Sequence, residues 1–590
     1  MKKTRHGFVS AGLPAVVWGF ALAACACARA ETTVALKPSR ADCSAAFLDA
    51  ISRVRAAGGG VVELEKGEYH FAAGTAPKHV FHVSNHDQSP DHPVNLPFVG
   101  VTNLTLRGHG STLTFHGATI GVLVRDSAGV RLEGVKLDWS RPFITEMKIL
   151  GFKDGKTIGR IDKSVFPYAV ENGHVVAVGE GWKSRVPWGM VFRGDTHEIV
   201  ERSADLGYDG AAVENADGTL TCDYDYSKAG AGARVGDVAA LRPERRPFPA
   251  CVLYHAKDVV FEDVAIHTAW GMGVIAQMSE NFTWRGTGRA EDKTSGVFPP
   301  AGSSRVTTLH ADASHFANVK GAVTVENCFF ETMMDDAANV HCTCLAIVKI
   351  LGKRRVRCRY MHRQAVGYGA FDSGDALRFI RGRTLENGAE TRVLAVETHD
   401  EREVTLSLAD DLPPDCAVGD AVENADYQPS VVFRGNVVKN NRARGVLFTT
   451  PKPVVCESNL FDHVSGSAIL FAGDAQGWYE SGACTDVLVR GNVFRDCLTS
   501  VFQFCDGVIS SWPMIRDFDA QKVHYHRNFR IEDNLFETFD VPLLYARSTD
   551  DITFRGNRIR RHDRYRGWGK PPFILEKCDR ALVRMPTPAD

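Results

Sequence analysis

Short runs in which apolar and polar residues alternate recur along most of the chain, each closed by a small polar turn and followed by another such run. Early copies are Val259-x-Phe261-x-Asp263-Val264-x-Ile266 and Val323-x-Val325-x-Asn327-x-Phe329. Later ones are Val431-x-Phe433-x-Gly435-Asn436-Val437, Val487-x-Val489-x-Gly491-Asn492-Val493-Phe494 and Ile552-x-Phe554-x-Gly556-Asn557. A period of two places the apolar side chains on one face of a strand. Asn436 and Asn459 are 23 residues apart, as are Asn534 and Asn557. A repeat in the twenties built of strand, Asn turn and strand predicts a solenoid coil. Leucine-rich repeats share this period, but their leucine pattern is absent. The Asn is expected to take the left-handed backbone of the corner and to bond its copies in neighbouring coils.

An amphipathic helix is predicted over residues 41–57, followed by Gly58-Gly59-Gly60 and a strand over 61–69. This order resembles the N-terminal cap of right-handed parallel β-helix proteins of the pectin-lyase type. The predicted fold class is therefore all-β, a right-handed parallel β-helix. The rhythm fails over residues 143–249 and 343–427, where longer strands alternate with charged turns. Each stretch ends on a similar phrase, Val235-Gly236-Asp237-Val238 and Val418-Gly419-Asp420-Ala421. Both are read as inserted small antiparallel β-barrel-like domains. The expected organisation is a signal peptide (1–30), cap and first coils (31–142), first insertion (143–249), coils with the candidate site (250–342), second insertion (343–427) and C-terminal coils (428–590).

Composition narrows the function. With 69 Lys+Arg against 71 Asp+Glu among 590 residues, no basic field exists to hold nucleic acid or an anionic membrane, so a neutral partner is expected. Lys2, Lys3 and Arg5, an apolar stretch over 8–24 and Ala28-Arg29-Ala30 read as an export signal. Leu22-Ala23-Ala24-Cys25 also resembles a lipobox, which would make Cys25 a lipidated first residue. Export to the periplasm, the medium or the outer surface is expected, without a transmembrane span. Of 15 cysteines, Cys25 and Cys27 fall before residue 31; the thirteen left are an odd number lying mostly in apolar runs, as small buried hydrophobes do. Cys342-Thr-Cys344 lacks a second pair at zinc spacing, so neither metal nor cofactor is expected.

The densest polar constellation is residues 307–318, followed by 334–341. Asp312 and Asp335 are 23 residues apart, as are Asn318 and His341, so each pair is expected to stack on neighbouring coils. Stacked carboxylates cannot both ionise cheaply, and one keeps its proton, which yields an acid beside a base. Glycoside hydrolysis uses such a pair. Asp335 and Asp336 would point to opposite faces of a regular strand, so a kink is needed for both to serve. Sugar rings lie on aromatic faces, which makes Trp478, with Glu480 in a Gly-rich loop, the first candidate for binding substrate and Trp270 a second. His310, His315, Asn339 and His341 would touch sugar or orient the aspartates.

Residues 307–316, residues 334–341, Gly473-Asp474 and residues 478–483 together resemble glycoside hydrolase family 110, the bacterial exo-acting α-1,3-galactosidases that remove blood group B galactose. The resemblance implies a β-helix with inserted barrels, inversion of configuration, and catalytic carboxylates at Asp312, Asp335 and Asp336. The implied partners are host-type glycans with terminal α-1,3-galactose, and the inserted barrels are the candidate surface for a homodimer. Two other classes stay open at this point. A polysaccharide lyase would need a base such as Lys320 and cations for a uronate, and a glycan-binding solenoid would need no chemistry.

Overall fold

The computed structural model describes residues 31–87, 89–207, 210–500, 502 and 504–589; the leader and Cys25 lie outside them. Its body is a parallel β-helix whose coils belong to one 34-stranded sheet system. One face stacks Cys251–Glu262, Val274–Arg285 and Ser314–Glu326, then continues through Ser430–Arg434, Val454–Glu457, Val487–Arg490 and His526–Glu532. A second runs from Phe329–Glu331 through Val437–Lys439 and Leu460–Asp462. The third runs from Ala338–Thr343 through Val446–Phe448, Ile469–Phe471 and Ile509–Ser511. Inward side chains form ladders, such as Phe433, Phe461, Phe494 and Phe536, with successive ring centroids 6.3, 5.4 and 5.0 Å apart. The helix Ser44–Ala56 closes the N-terminal end and buries Phe47, Ala50, Ile51 and Val54.

The asparagine corners differ from the sequence expectation in one respect. Asn327 takes that backbone itself at φ 54°, whereas at the five later corners the left-handed residue is the one before the Asn, Gly435, Ser458, Gly491, Asp533 and Gly556, with φ between 58° and 65°. The Asn itself turns its side chain inward as a rung. Asn436 N–H donates to Asn459 Oδ1 at 2.9 Å, Asn459 N–H to Asn492 Oδ1 at 3.0 Å, Asn492 N–H to Asn534 Oδ1 at 2.9 Å, and Asn534 N–H to Asn557 Oδ1 at 2.9 Å. The amide nitrogens serve backbone carbonyls, as Asn492 Nδ2 serves Cys456. Each buried corner thereby satisfies an N–H and a C=O that the turn leaves without ladder partners.

The ladder passes over both insertions. Val260 pairs with Arg131 across the first, and Ala322 with Ser430 across the second. The second is a closed barrel of six strands between Leu345 and Asn424. The first is an open seven-stranded antiparallel sheet, Leu206–Gly207 to Ala212–Glu214 in spatial order, with a three-stranded sheet beside it. The repeated Val-Gly-Asp phrase does the same work in both. Asp237 accepts from Arg193 and the Gly194 N–H, and Asp420 from Arg381 and the Gly382 N–H. Those glycines meet the carbonyls of Gly236 and Gly419 so closely that no Cβ fits.

All thirteen cysteines after residue 30 are free, eleven of them buried. Among the described residues no helix is long and apolar enough to cross a membrane.

The Asn ladder gives a direct test. Asn492→Ala strands the Asn459 N–H and the Cys456 carbonyl in the core, and should lower unfolding free energy by about 1–3 kcal/mol in urea titrations.

Candidate functional site

The segment before Asp312 is tied down from the first insertion. Glu146 there accepts the N–H groups of Val306 and Thr307 and the Thr307 hydroxyl, while Arg305 makes a two-point contact with Asp138. The chain then enters the strand Ser314–Glu326. The next coil pairs His315 with Asn339, Phe316 with Val340 and Ala317 with His341. This offset is 24 residues rather than 23, with one residue added between the coil corners. Asp312 therefore aligns with Asp336, and Asn318 falls opposite Cys342, whose sulfur its amide reaches at 3.4 Å. Asp335 stands one residue to the side. It precedes the strand Ala338–Thr343, so the alternation of a regular strand does not separate it from Asp336.

All three carboxyl groups converge, with nearest oxygens within 4.8 Å of one another. Asp312 and Asp336 are buried and the Asp335 side chain is one-fifth exposed. Arg444 bridges the pair, 3.0 Å from Asp336 and 3.5 Å from Asp335, and Arg442 lies 3.6 Å from Asp335. Burial pushes Asp312 well above the usual carboxylate range, and the Asp335 charge adds to it. Burial likewise raises Asp336 well above that range, outweighing Arg444. Burial also opposes the Asp335 charge, but Arg444, Arg442, Arg246 and Arg242 together hold this group below the usual value. The trio is thus split into two carboxyls that favour the proton and one that favours the charge.

Behind Asp312 runs a chain of ring nitrogens. Asp312 Oδ2 meets His315 Nδ1 at 2.7 Å, His315 Nε2 meets His341 Nε2 at 2.8 Å, and His341 Nε2 lies 3.5 Å from Glu480. Burial, then the neighbouring His341, pushes His315 well below the normal imidazole value, so it is neutral. His315, His341 and Glu480 converge as metal ligands do. Their geometry suits direct hydrogen bonding between the two rings better, because tetrahedral zinc at about 2.0–2.1 Å would hold its ligand nitrogens about 3.3 Å apart. The three aspartates could also face a hard cation, but Arg444 and Arg442 already occupy that electrostatic position.

The pocket in front, of about 160 Å³, is lined by Asp312, Asp335, His315, Asn339, Trp478 and Glu480, among others. Trp478 and Glu480 come from a loop wound on Asp474, whose carboxylate accepts the N–H groups of Gln476, Gly477, Trp478 and Tyr479. Trp478 lies against His362 of the second insertion, ring centroids 3.9 Å apart, and under Arg246 at 5.7 Å. Asn85 donates to Glu480 at 3.0 Å.

Two candidate residues stand elsewhere. Trp270 is buried among Phe143, Trp182 and Phe248, which makes it core packing outside this pocket. His310 lines a neighbouring cleft, and burial lowers it well below the normal imidazole value. His341 is buried and is not among the pocket's lining residues; it backs His315 and Glu480. Sequence reasoning missed Arg246, Arg442, Arg444 and Asn85. Lys320 pairs with Glu280 at 3.8 Å and does not line the pocket, which removes the candidate base of a lyase.

Arg444→Leu should destabilise the fold by about 3 kcal/mol, because the ionised Asp335 loses one of its cations and the buried Asp336 loses its hydrogen-bond donor. With Asp336 favouring the proton more strongly in the variant, the loss should grow as pH rises and shrink as it falls. Arg444→Leu with Asp336→Asn should cost less than the two single changes summed, as read from urea unfolding of all four proteins.

Two family models match the insertions, "GLAA-B beta-barrel domain I" over residues 145–238 and "GLAA-B beta-barrel domain II" over 355–422. An α-1,3-galactosidase B of Akkermansia muciniphila is 42% identical over 92% of this chain and 67% of its own length. One of Parabacteroides distasonis is 37% identical over 88% of this chain and 85% of its own. Among solved structures, the A-module of Azotobacter vinelandii mannuronan C-5 epimerase AlgE6 aligns over 93% of this chain and 97% of its own at 11% identity, with a TM-score of 0.38. On the strength of the curated relatives, the chain belongs to the α-1,3-galactosidase family, glycoside hydrolase family 110.

Proposed function

We propose that the protein is an exo-acting α-1,3-galactosidase that removes terminal galactose from host-type glycans with inversion of configuration. The observation that carries this reading is the division of protons among three converging carboxyls at a pocket flanked by Trp478. Asp312, held protonated, is the acid that gives its proton to the leaving oxygen. Asp335, held ionised, is the base that takes a proton from the attacking water. Asp336 and Arg444 behind them fix the orientation and charge of Asp335. Trp478 offers the apolar face for the sugar ring, and Asn339, Arg442 and Glu480 offer hydrogen bonds to its hydroxyls.

Nearest oxygens within 4.8 Å are closer than the about 6.5–9.5 Å that separates carboxyl groups in inverting enzymes. Support for inversion comes from the family resemblance and not from this spacing. The reading of the first thirty residues as an export signal supports the proposed function, because an exported enzyme meets glycans of this kind.

Early NMR spectra of a digest of linear and fucosylated α-1,3-galactosyl oligosaccharides should show β-galactose first; α-galactose as the first product would overturn inversion. Asp312→Asn, Asp335→Asn and Asp336→Asn should each lose at least about 10²-fold in kcat/KM. An activated aryl leaving group needs little protonation, so Asp312→Asn should recover on an aryl α-galactoside and the other two should not. Recovery in Asp335→Asn instead would exchange the acid and base, and near-normal activity in all three folded variants would remove the site.

A further inference from the structure

A second cavity, of about 280 Å³, adjoins the catalytic pocket. Two residues connect them. Arg246 lines both, donating to Gln364 at 3.0 Å on one side and lying over the Trp478 ring on the other. Asp205 lines the second cavity and takes a two-point contact from Arg442, which lines the first. The second cavity therefore begins where the first ends.

Its walls come from all three parts of the protein. Trp188, Asp205 and Arg242 belong to the first insertion, Arg363 and Gln364 to the second, and Asp87 to the N-terminal coils. Its charged lining is balanced, with Asp87, Asp205 and Glu244 against Arg242, Arg246 and Arg363, so it offers no net field to an acidic chain. Trp188 is the conspicuous member, because 49% of it is exposed. The residue opens the strand Trp188–Phe192, where it pairs with Arg242 on one side and Gly207 on the other. Gly207 has no unusual backbone angle, yet a Cβ there would come within 3.0 Å of the indole ring. Its missing side chain thus leaves the ring a flat seat on the backbone. A half-exposed indole seated on glycine, among carboxylates, an amide and guanidinium groups, is built as a platform for a neutral, hydroxyl-rich ring.

We propose that this cleft binds the sugars on the reducing side of the cleaved linkage, with Trp188 as their stacking platform, so that both insertions read the glycan beyond its terminal galactose. The proposal rests on the galactosidase reading above. It assigns Trp188 to substrate selection and leaves the bond-breaking chemistry with the aspartates.

The test compares the full-length protein and Trp188→Ala on an aryl α-galactoside, which has no reducing-side sugars, and on α-1,3-galactosyl oligosaccharides of two to five sugars. On the longer oligosaccharides the variant should lose roughly tenfold in kcat/KM, mainly through KM, and on the aryl substrate it should stay within about twofold of the wild type. Trp188→Phe should restore most of the loss. An equal loss on every substrate, or none on any, with the unfolding midpoint unchanged, would overturn the proposal. Calorimetric titration with a neutral β-linked oligosaccharide lacking the terminal α-galactose reads the cleft without catalysis. Binding to the wild type that Trp188→Ala abolishes supports it, and equal affinity or no binding overturns it. Failure of the wild type to cleave the aryl α-galactoside and every oligosaccharide would instead overturn the galactosidase reading, with the titration still deciding the cleft.

Discussion

The register between neighbouring coils is the constraint on which the rest of the structure depends. In a parallel β-helix each residue lies one strand spacing, about 4.8 Å, from its counterpart in the next coil, and hydrogen bonds on three faces forbid one face from sliding alone. Polar side chains aligned in this way are forced together whether or not their charges agree. Asp312 and Asp336 are such a pair, and Asp335 beside them makes a third carboxyl in the same volume. The following coil supplies the remedy at the same height, because Ala338 pairs with Val446 and the segment ahead of Val446 carries Arg442 and Arg444. One-dimensional stacking thus delivers both the repulsion and the cations that direct it onto particular oxygens.

The fold was legible because its signal is repetitive. Alternating strands, asparagines at fixed spacing and two breaks in the rhythm carry the β-helix and its insertions without any long-range inference. The asparagine spacing could not say which residue of the corner adopts the left-handed backbone, since Gly435-Asn436 and Ser458-Asn459 place residues that tolerate it side by side. The site was legible only in its sequence-local half. Asp312, Asp335 and Asp336 lie in two adjacent coils, whereas Arg442 follows Asp335 by 107 positions with a whole barrel between them. Periodicity read through that barrel loses its phase, and nothing local in the sequence ties these arginines to the aspartates. The one-residue lengthening between Asp312 and Asp336 was hidden for a related reason. A 23-residue step recurs, as between Val431 and Val454 or Phe529 and Ile552, but it is not shared by every coil, and the coil that carries the site departs from it.

Trp270 and Trp478 show the same limit for aromatic residues. Both sit beside glycine in polar-looking turns, at Trp270-Gly271 and Gly477-Trp478. What separates them is the company supplied by distant segments. Phe143 and Trp182 of the first insertion cover Trp270, while the Asp474 carboxylate winds the other loop so that Trp478 reaches His362 and the pocket.

A solenoid alone presents long, shallow faces, because every coil resembles the next, and such a surface suits a polymer better than the end of a chain. Enclosure requires an element that leaves the repeat. Both insertions leave from corners near the aspartates and fold back on the same region. The first supplies Glu146 to hold the segment before Asp312, and the second supplies His362 to back Trp478. Each insertion is in turn secured by a local device, the Asp of its Val-Gly-Asp phrase held by an arginine and a glycine N–H. The separation of protons among the three carboxyls is set by burial of Asp312 and Asp336 and by the arginines around Asp335, all in place before any sugar arrives, which is the condition under which electrostatic stabilisation costs least at the moment of reaction.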